Sequence, residues 1–141
     1  MRLLMYLAAA PATRRVHTRE VATAYGISAH HLQKAALRLA RLGYVEALPG
    51  RNGGLRLARP ASEIRIGSLV AASEETGRLI DCARGPCPLD GRCLLKGVLD
   101  DAEQVFMREL NKRTLADVVA SPTGAALRRM MEPPPPARAS A

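Results

Sequence analysis

The chain has 141 residues, with 21 Lys and Arg against 13 Asp and Glu, which gives a formal net charge of +8. This length allows one modest domain with an appendage and excludes two full domains with separate large cores. The basic excess favours an anionic partner such as nucleic acid or a membrane surface. An aromatic content of 3%, with one Phe and no Trp, argues against base stacking on single strands, so double-stranded DNA is the expected partner.

The first predicted element is a short helix over 2–10, built from good helix formers and closed by Pro11. The same residues superficially imitate a signal peptide, but the apolar run is short and only Arg2 precedes it. No stretch of the sequence approaches the roughly 20 apolar residues of a membrane span. We therefore expect a cytoplasmic protein that makes no membrane contact.

Two short helices joined by a tight turn come next. Thr18 is the candidate N-cap of a helix over 19–24 that Gly26 ends, and Ser28 is the candidate N-cap of a helix over 29–42. The second helix repeats apolar residues three or four apart, which predicts an inner face of Leu32, Ala35, Ala36, Leu39 and Leu42. Its opposite face is polar and basic, as in a helix-turn-helix whose second helix enters the major groove. The candidate DNA contacts are Ser28, His30, His31, Gln33, Lys34 and Arg38.

A β-hairpin is predicted after these helices. Strand-like runs over 44–48 and 55–58 flank Pro-Gly-Arg-Asn-Gly-Gly, in which Asn-Gly is a favoured hairpin turn. The hairpin makes the unit a winged helix-turn-helix, and arginines on such a wing suit DNA phosphates or the narrow minor groove. A solvated hairpin tip is the alternative. The candidate contacts here are Arg51, Asn52, Gly53 and Arg56.

The second half of the chain contains the longest amphipathic element. A short helix beginning around Arg65 leads towards the cysteines, and a helix over 94–111 follows them. The sixteen residues 95–110 span about 24 Å at 1.5 Å per residue. A helix of this length suits packing against its symmetry mate in a dimer, because the two DNA-binding units of a dimer bind half-sites about 34 Å apart. An intramolecular core helix is the alternative. Thr114 is the candidate cap of a short helix over 115–120, and 125–131 add further helical turns.

These elements predict a mainly α fold with a small β-hairpin, in which a winged helix-turn-helix is joined to a long C-terminal dimerisation helix. We assign the DNA-binding domain to 1–60 and the connecting helix with the cysteine loop to 61–93. The dimerisation helix and a C-terminal helix take 94–131, and a disordered Pro-rich tail takes 132–141. A homodimer of this kind would bind an inverted-repeat operator.

All three cysteines, Cys82, Cys87 and Cys93, lie within one Gly- and Pro-rich stretch. Their odd number argues against a secreted disulfide framework, and the charges of Arg84 and Arg92 favour thiolates. Thiolates suit zinc or iron-sulfur clusters, and three of them leave one position to be filled from elsewhere. An iron-sulfur cluster, zinc and a disulfide switch all remain open, with unremarkable free thiols the least favoured reading. Enzymatic thiol-disulfide turnover is not expected, because there is no C-x-x-C pair and no βαβ pattern.

Longer motifs point to a family. The segment 18–57 reads T-R-E-V-A-x-x-Y-G-I-S-x-x-H-L-x-K and then L-G-Y-V-E-A-x-x-G-R-N-G-G-L-R-L, and it resembles the winged domain of the IscR-like iron-sulfur transcriptional regulators. The cysteine spacing C-x4-C-x5-C is similar to that of the nitric-oxide-sensing repressors within the family. The same holds for R-C-x-L, which contains the last of these cysteines, and for T-L-A-D-V-V at 114–119. The resemblance covers nearly the whole chain.

The resemblance implies a homodimeric repressor that carries a [2Fe-2S] or [4Fe-4S] cluster on Cys82, Cys87 and Cys93. The intact cluster would hold the two recognition helices of the dimer in the arrangement that binds the operator, until nitric oxide attacks the iron. Sibling sensors in the family use a slightly different cysteine spacing, so the choice of nitric oxide as the signal rests on this spacing and on the C-terminal T-L-A-D-V-V motif. Family members usually have a threonine-aspartate pair ahead of the first helix, and that aspartate can be the fourth ligand across the dimer. We expect a segment before Met1, water, a small thiol or another residue to fill this position here.

Overall fold

A computed structural model of the chain describes residues 1–48, 50, 53–73 and 85–132. Within these ranges the protein is mostly helical and contains one antiparallel pair of strands. The elements in chain order are α1 (Arg2–Ala9), α2 (Thr18–Tyr25), α3 (Ala29–Arg41), β1 (Val45–Leu48), β2 (Gly54–Leu57), a 3-10 turn (Ala61–Glu63), α4 (Ile66–Ser73), α5 (Leu94–Asn111), α6 (Leu115–Val118) and α7 (Thr123–Met131).

Helices α2 and α3 form the predicted helix-turn-helix, with both of its turn signals in place. Gly26 caps α2 with φ of +61°, in the left-handed region that glycine adopts without strain. The Ser28 Oγ caps α3 by accepting a hydrogen bond from the backbone N–H of His31 at 3.4 Å. The Thr18 cap is wrong by one residue, because the N–H of Val21 bonds to the His17 carbonyl at 3.3 Å and the helix therefore begins earlier.

The hairpin is confirmed, and its base is fastened to the helical part. Strand β1 pairs with β2 in the register Val45↔Leu57 to Leu48↔Gly54. Val16, in the loop between α1 and α2, forms an additional bridge with Leu55, with N–H to carbonyl distances of 3.0 and 2.8 Å in the two directions. Gly54 allows this approach, since a Cβ there would lie 3.2 Å from the Val16 carbonyl oxygen. The wing is thus part of a small three-segment arrangement.

The core lies around α1, which packs against β2, α6 and α7. Five of its eight residues are buried, because small and apolar residues surround its axis on most sides. The core extends to the wing, to the 3-10 turn and to α4. Its most deeply buried large side chains are Tyr6, Leu4, Ile64, Leu69, Leu115, Val16 and Val21.

A joint connects the start of α4 to the end of α5. The N–H of Ile66 bonds to the Arg113 carbonyl at 2.9 Å, and the N–H of Leu115 bonds to the Ile64 carbonyl at 2.8 Å. Helix α6 follows at once, and Thr114 and Asp117 cap it through reciprocal hydrogen bonds that form a capping box. The cap at Thr114 is confirmed, although α6 is shorter than predicted and α7 begins two residues before the predicted start.

Helix α5 has the predicted bounds and contributes no buried residue. It packs against α4, and the rest of its surface faces outward. None of the helices in the described ranges combines the length and the hydropathy that a membrane crossing needs. Of the predicted tail at 132–141, residues 133–141 lie outside the described residues.

Candidate DNA-binding surface and cysteine segment

The polar face of α3 is exposed as a continuous surface. His30, His31, Gln33, Lys34 and Arg38 are all exposed, and the buried side of the helix consists of Leu32, Ala36 and Leu39. The imidazole rings of His30 and His31 lie side by side, with centroids 6.5 Å apart. Five of the six DNA-contact candidates on this unit therefore share one solvent-facing surface, while the sixth, Ser28, caps the helix that carries them.

The predicted inner face of α3 needs one correction. Ala35 is exposed, although the spacing placed it in the core, because Leu32, Ala36 and Leu39 already fill the contact with α2 and the wing. Leu37, which the spacing did not assign to either face, is 60% exposed. Leu42 is only partly buried.

Gln33 also lines an open cleft of about 800 Å³ between α2 and the end of α7. At its floor the Glu20 carboxylate accepts hydrogen bonds from the Tyr6 hydroxyl and from the Arg14 guanidinium, each at 2.8 Å. Burial, followed by the hydrogen bond to Glu20, raises the pKa of Tyr6 to about 12. This network fixes α2, and with it the start of the helix-turn-helix, against α1.

On the wing, the candidates divide into described and undescribed residues. Gly53 lies directly before β2 and is buried, and its N–H bonds to the Gly50 carbonyl at 3.0 Å. Arg51 and Asn52 lie outside the described residues. Arg56 forms an ion pair with Glu46 directly across the hairpin, and its hydrogen bond lowers the pKa of the Glu46 carboxyl. In this structure Arg56 is therefore engaged with its own strand pair.

Arg59 is a structural residue of the reading unit that sequence patterns did not reveal. Its guanidinium stacks on the Tyr44 ring at 4.5 Å and donates to the carbonyls of Gly43 at 3.2 Å and Leu42 at 3.5 Å. These carbonyls follow the C-terminal end of α3, where a positive charge is favoured. Arg59 thus ties the end of the wing to the end of α3.

Two of the three cysteines lie in the described residues, just ahead of α5. Cys87 is exposed and Cys93 is partly exposed, and both thiols are free. Two consecutive turns connect them, closed by the Asp90 N–H on the Cys87 carbonyl at 3.1 Å and the Arg92 N–H on the Leu89 carbonyl at 2.9 Å. Cys93 is the N-cap residue of α5. Cys82 lies outside the described residues.

The two described thiols are suitable ligands for a thiolate-bound metal or cluster. Both thiols are accessible, and sulfur is the ligand that iron-sulfur clusters and zinc share. The N-terminal end of α5 next to Cys93 is the positive end of the helix dipole, which favours an anionic group. The described ranges contain no gathered group of three His, Cys, Asp or Glu side chains that could hold a metal by themselves.

Helix α5 presents an apolar face to the outside. Val98 is 64% exposed and Phe106 is 57% exposed, although such side chains are normally buried in a chain that has no partner. These residues recur three or four apart and so form one stripe along the helix. We call this stripe the α5 apolar face; it consists of Leu94, Leu95, Val98, Ala102, Val105 and Phe106.

Comparison with known proteins agrees with this arrangement. The Rrf2 family, described as iron-dependent transcriptional regulators, matches residues 1–121. Over 124 residues the chain is 40% identical to the HTH-type transcriptional regulator NsrR of Halalkalibacterium halodurans, covering 86% of this chain and 85% of that protein.

Solved structures share the fold at low sequence identity. T. potens IscR superposes with a TM-score of 0.65 at 22% identity, covering 84% of this chain and 78% of that one. CymR, the global cysteine regulator of B. subtilis, superposes with a TM-score of 0.61 at 21% identity, covering 83% and 87%. Together with the hairpin beside α3, these likenesses confirm the winged helix-turn-helix fold. The matches confirm the family resemblance found in the sequence and indicate a DNA-binding regulator rather than an enzyme: the chain belongs to the Rrf2 family of transcriptional regulators.

Proposed function

We propose that this regulator is a homodimeric repressor whose operator affinity is controlled by a nitric-oxide-sensitive iron-sulfur cluster on Cys82, Cys87 and Cys93. The observation that carries the proposal is the position of Cys93. It is at once a free thiol and the N-cap residue of α5, the helix with the exposed apolar face. Ligation at this residue would act directly on the element that sets the distance between two reading units.

The cysteines support the choice of cluster by their accessibility. The turns between Cys87 and Cys93 hold two thiols near the start of α5 without burying either in the core. When bound, a [2Fe-2S] or [4Fe-4S] cluster supplies iron that reacts with nitric oxide. The 40% identity to the HTH-type transcriptional regulator NsrR and the match to a family described as iron-dependent transcriptional regulators support an iron-containing regulator.

The α5 apolar face supports the dimer. The helix has 18 residues, which corresponds to a length of about 27 Å. Two such helices packed along their apolar faces would bury side chains that are exposed in the single chain, and apolar burial yields about 25 cal/mol per Å². The two copies of α3 would then face the two half-sites of an inverted repeat.

The reading unit supports double-stranded DNA as the target. Its exposed surface on α3 carries Lys34 and Arg38 for phosphates and Gln33 for base edges. We propose contacts from Ser28, His30, His31, Gln33, Lys34 and Arg38 on this unit, and from Arg51, Asn52, Gly53 and Arg56 on the wing. An Arg56 contact would require the guanidinium to leave Glu46 or to bind a phosphate with its free edge.

The switch would work through α5. Loss of ligation would release the turns over 87–92, change the start of α5 and alter the separation of the two α3 helices. Moving a two-state equilibrium from 1:99 to 99:1 takes about 5.5 kcal/mol of differential interaction. In the proposed mechanism, metal-thiolate bonds made in only one state would supply this energy.

Metal analysis after anaerobic purification tests the proposal. The wild-type protein should be brown and carry iron with acid-labile sulfide, and nitric oxide should bleach it and weaken operator binding. Cys87→Ser and Cys93→Ser should lose most of the iron. Leu89→Ala, which changes an exposed side chain in the same turn, is the matched control and should keep it.

Three other results would contradict parts of this proposal. A colourless protein with stoichiometric zinc would identify a zinc-stabilised DNA-binding module. Iron retained by both Ser variants would remove the ligand assignment. A cluster that responds to oxidants but leaves operator binding unchanged under nitric oxide would assign a different signal.

A further inference from the structure

Leu37 lies on the wrong side of α3 for a core residue. It is 60% exposed in the middle of a helix whose other large apolar residues, Leu32 and Leu39, are buried. Single exposed leucines are common on protein surfaces and by themselves need no explanation. Leu37 differs from such residues because of the side chains that surround it on α3.

Those neighbours form a single line along the helix. Residues three, four, seven and eleven positions after His30 fall on the same side of an α-helix, and all five are exposed. We call this line the α3 outer stripe; it consists of His30, Gln33, Lys34, Leu37 and Arg41. Leu37 is its only apolar member and lies near its centre, between Gln33 and Lys34 on one turn and Arg41 on the next.

The positive charge of the α3 outer stripe indicates that its binding partner is DNA. Lys34 and Arg41 flank Leu37 along the helix axis, and exposed Arg38 lies beside it. A basic border suits the phosphates on both sides of the major groove. At the floor of that groove the one apolar group on any base pair is the C5-methyl of thymine. A leucine at the centre of a basic stripe is complementary to this group.

We propose that Leu37 is a specificity-determining residue that packs against the C5-methyl group of a thymine in each operator half-site. The inference rests on the DNA-reading part of the proposed function and is independent of the cluster. It assigns to α3 an apolar contact in addition to the polar contacts from Gln33 and Lys34. A second copy of this chain is a poorer occupant, because the basic side chains around Leu37 would face their own copies across a two-fold axis.

Replacing thymine by uracil removes the methyl group and leaves the hydrogen-bonding edge of the base unchanged, so it tests this contact directly. A duplex is first selected from a randomised pool by the wild-type protein, which tests the DNA reading itself. Each thymine of the selected half-site is then replaced by uracil in both half-sites. Affinities of wild type, Leu37→Ala and Leu37→Met are measured at one fixed salt concentration, because phosphate contacts make affinity salt-dependent.

We expect one thymine position at which uracil weakens wild-type binding about fourfold per half-site, and about 15-fold for the pair. This follows from the roughly 0.8 kcal/mol of one buried methyl or methylene group. At that position uracil should leave the affinity of Leu37→Ala unchanged, while Leu37→Met should keep most of the wild-type penalty. Circular dichroism should show the same fold for all three proteins, since the side chain is exposed.

Two outcomes would overturn the proposal. In the first, the uracil penalty at every position is the same for wild type and for Leu37→Ala, so that the two changes act independently. In the second, Leu37→Ala lowers the mass measured by light scattering, which would place Leu37 in a contact between protein chains.

Discussion

Glu20 joins three parts of the reading unit with one carboxylate oxygen. Its Oε1 accepts from the Tyr6 hydroxyl on α1 and from Arg14 in the following loop, each at 2.8 Å. Tyr6 is fully buried, so its hydroxyl depends on this partner to avoid an unsatisfied donor. The hydrogen bond therefore fixes both the packing of α1 and the start of α2.

We predict that Tyr6→Phe destabilises the protein by about 1 kcal/mol through loss of this hydrogen bond. The raised pKa makes the loss pH-dependent: the hydroxyl contributes fully below its unfolded pKa of about 10, and this contribution is lost as pH rises towards about 12. Stability should therefore fall less steeply with alkaline pH in Tyr6→Phe than in wild type. Urea unfolding at several pH values measures both effects.

Tyr25→Phe provides the control. The Tyr25 ring packs edge to face on Tyr6 with centroids 6.1 Å apart, and its hydroxyl makes no hydrogen bond within the described residues. Its replacement should change stability little at neutral pH. An equal loss in the two variants would show that Glu20 is not the source of the effect.

The Asn111 side chain links the end of α5 to the start of α4. The Asn111 Oδ1 accepts from the backbone N–H of Ser68 at 2.9 Å and from its hydroxyl at 3.3 Å, which caps the first turn of α4. A Cβ on Gly67 would come within 2.6 Å of the Asn111 side chain. Gly67 is therefore required for the contact, although glycine weakens a helix interior.

This geometry predicts that Gly67→Ala changes stability in opposite directions in two backgrounds, wild type and Asn111→Ala. In wild type, Gly67→Ala should destabilise by about 1 kcal/mol, because the new methyl group displaces Asn111 from Ser68. In the Asn111→Ala background the obstacle is gone, and the same change should stabilise by up to about 1 kcal/mol through helix propensity. Denaturant unfolding of wild type, the two single variants and the double variant gives the coupling free energy between residues 67 and 111. The same effect of Gly67→Ala in both backgrounds would rule out this role of Asn111.

Local signals in the sequence were sufficient for most elements. Gly26, Ser28 and Thr114 marked helix ends correctly because caps involve residues only a few positions apart. The apolar spacing gave α5 its bounds because that helix is amphipathic over its whole length.

Several features that the sequence did not reveal join distant residues, whereas the errors at Thr18 and Ala35 are local. Val16 bonds to Leu55, Arg59 to Leu42, and Asn111 to Ser68, and no spacing rule relates such pairs. For the candidate site, patterning found the polar face of α3 but not the exposure of Leu37, since only packing decides which apolar residue the core leaves out.

The proposed dimer would depend on α5, a long helix that has no fully buried residue in the described chain and packs only Leu110 against the core. Val98 lies near the start of its apolar face and is 64% exposed. We predict that Val98→Asp makes the proposed dimer dissociate, because a carboxylate buried against a second apolar helix would be unpaired. Light scattering should give the mass of one chain. Operator affinity should also fall, because the two half-sites would no longer be bound by two DNA-binding units of one dimer.

Gln104→Asp is the matched control. Gln104 is exposed on α5 but lies outside the apolar face, so the same negative charge should leave the mass unchanged. A dimeric Val98→Asp protein would move the interface away from α5.

The double attachment of the wing limits how a signal can reach DNA. The hairpin is bonded at its base to Val16 and held at its end by Arg59, which reaches back to α3. Within the described residues these contacts hold the wing beside α3 at both the base and the end of the hairpin, which opposes relative movement of the two. Under the proposed mechanism, a change at the cysteines would therefore act mainly on the separation of the two reading units in a dimer, and less on the contacts of one unit with its half-site. The response of the proposed repressor to its signal would then depend on the spacing of the two half-sites in the operator.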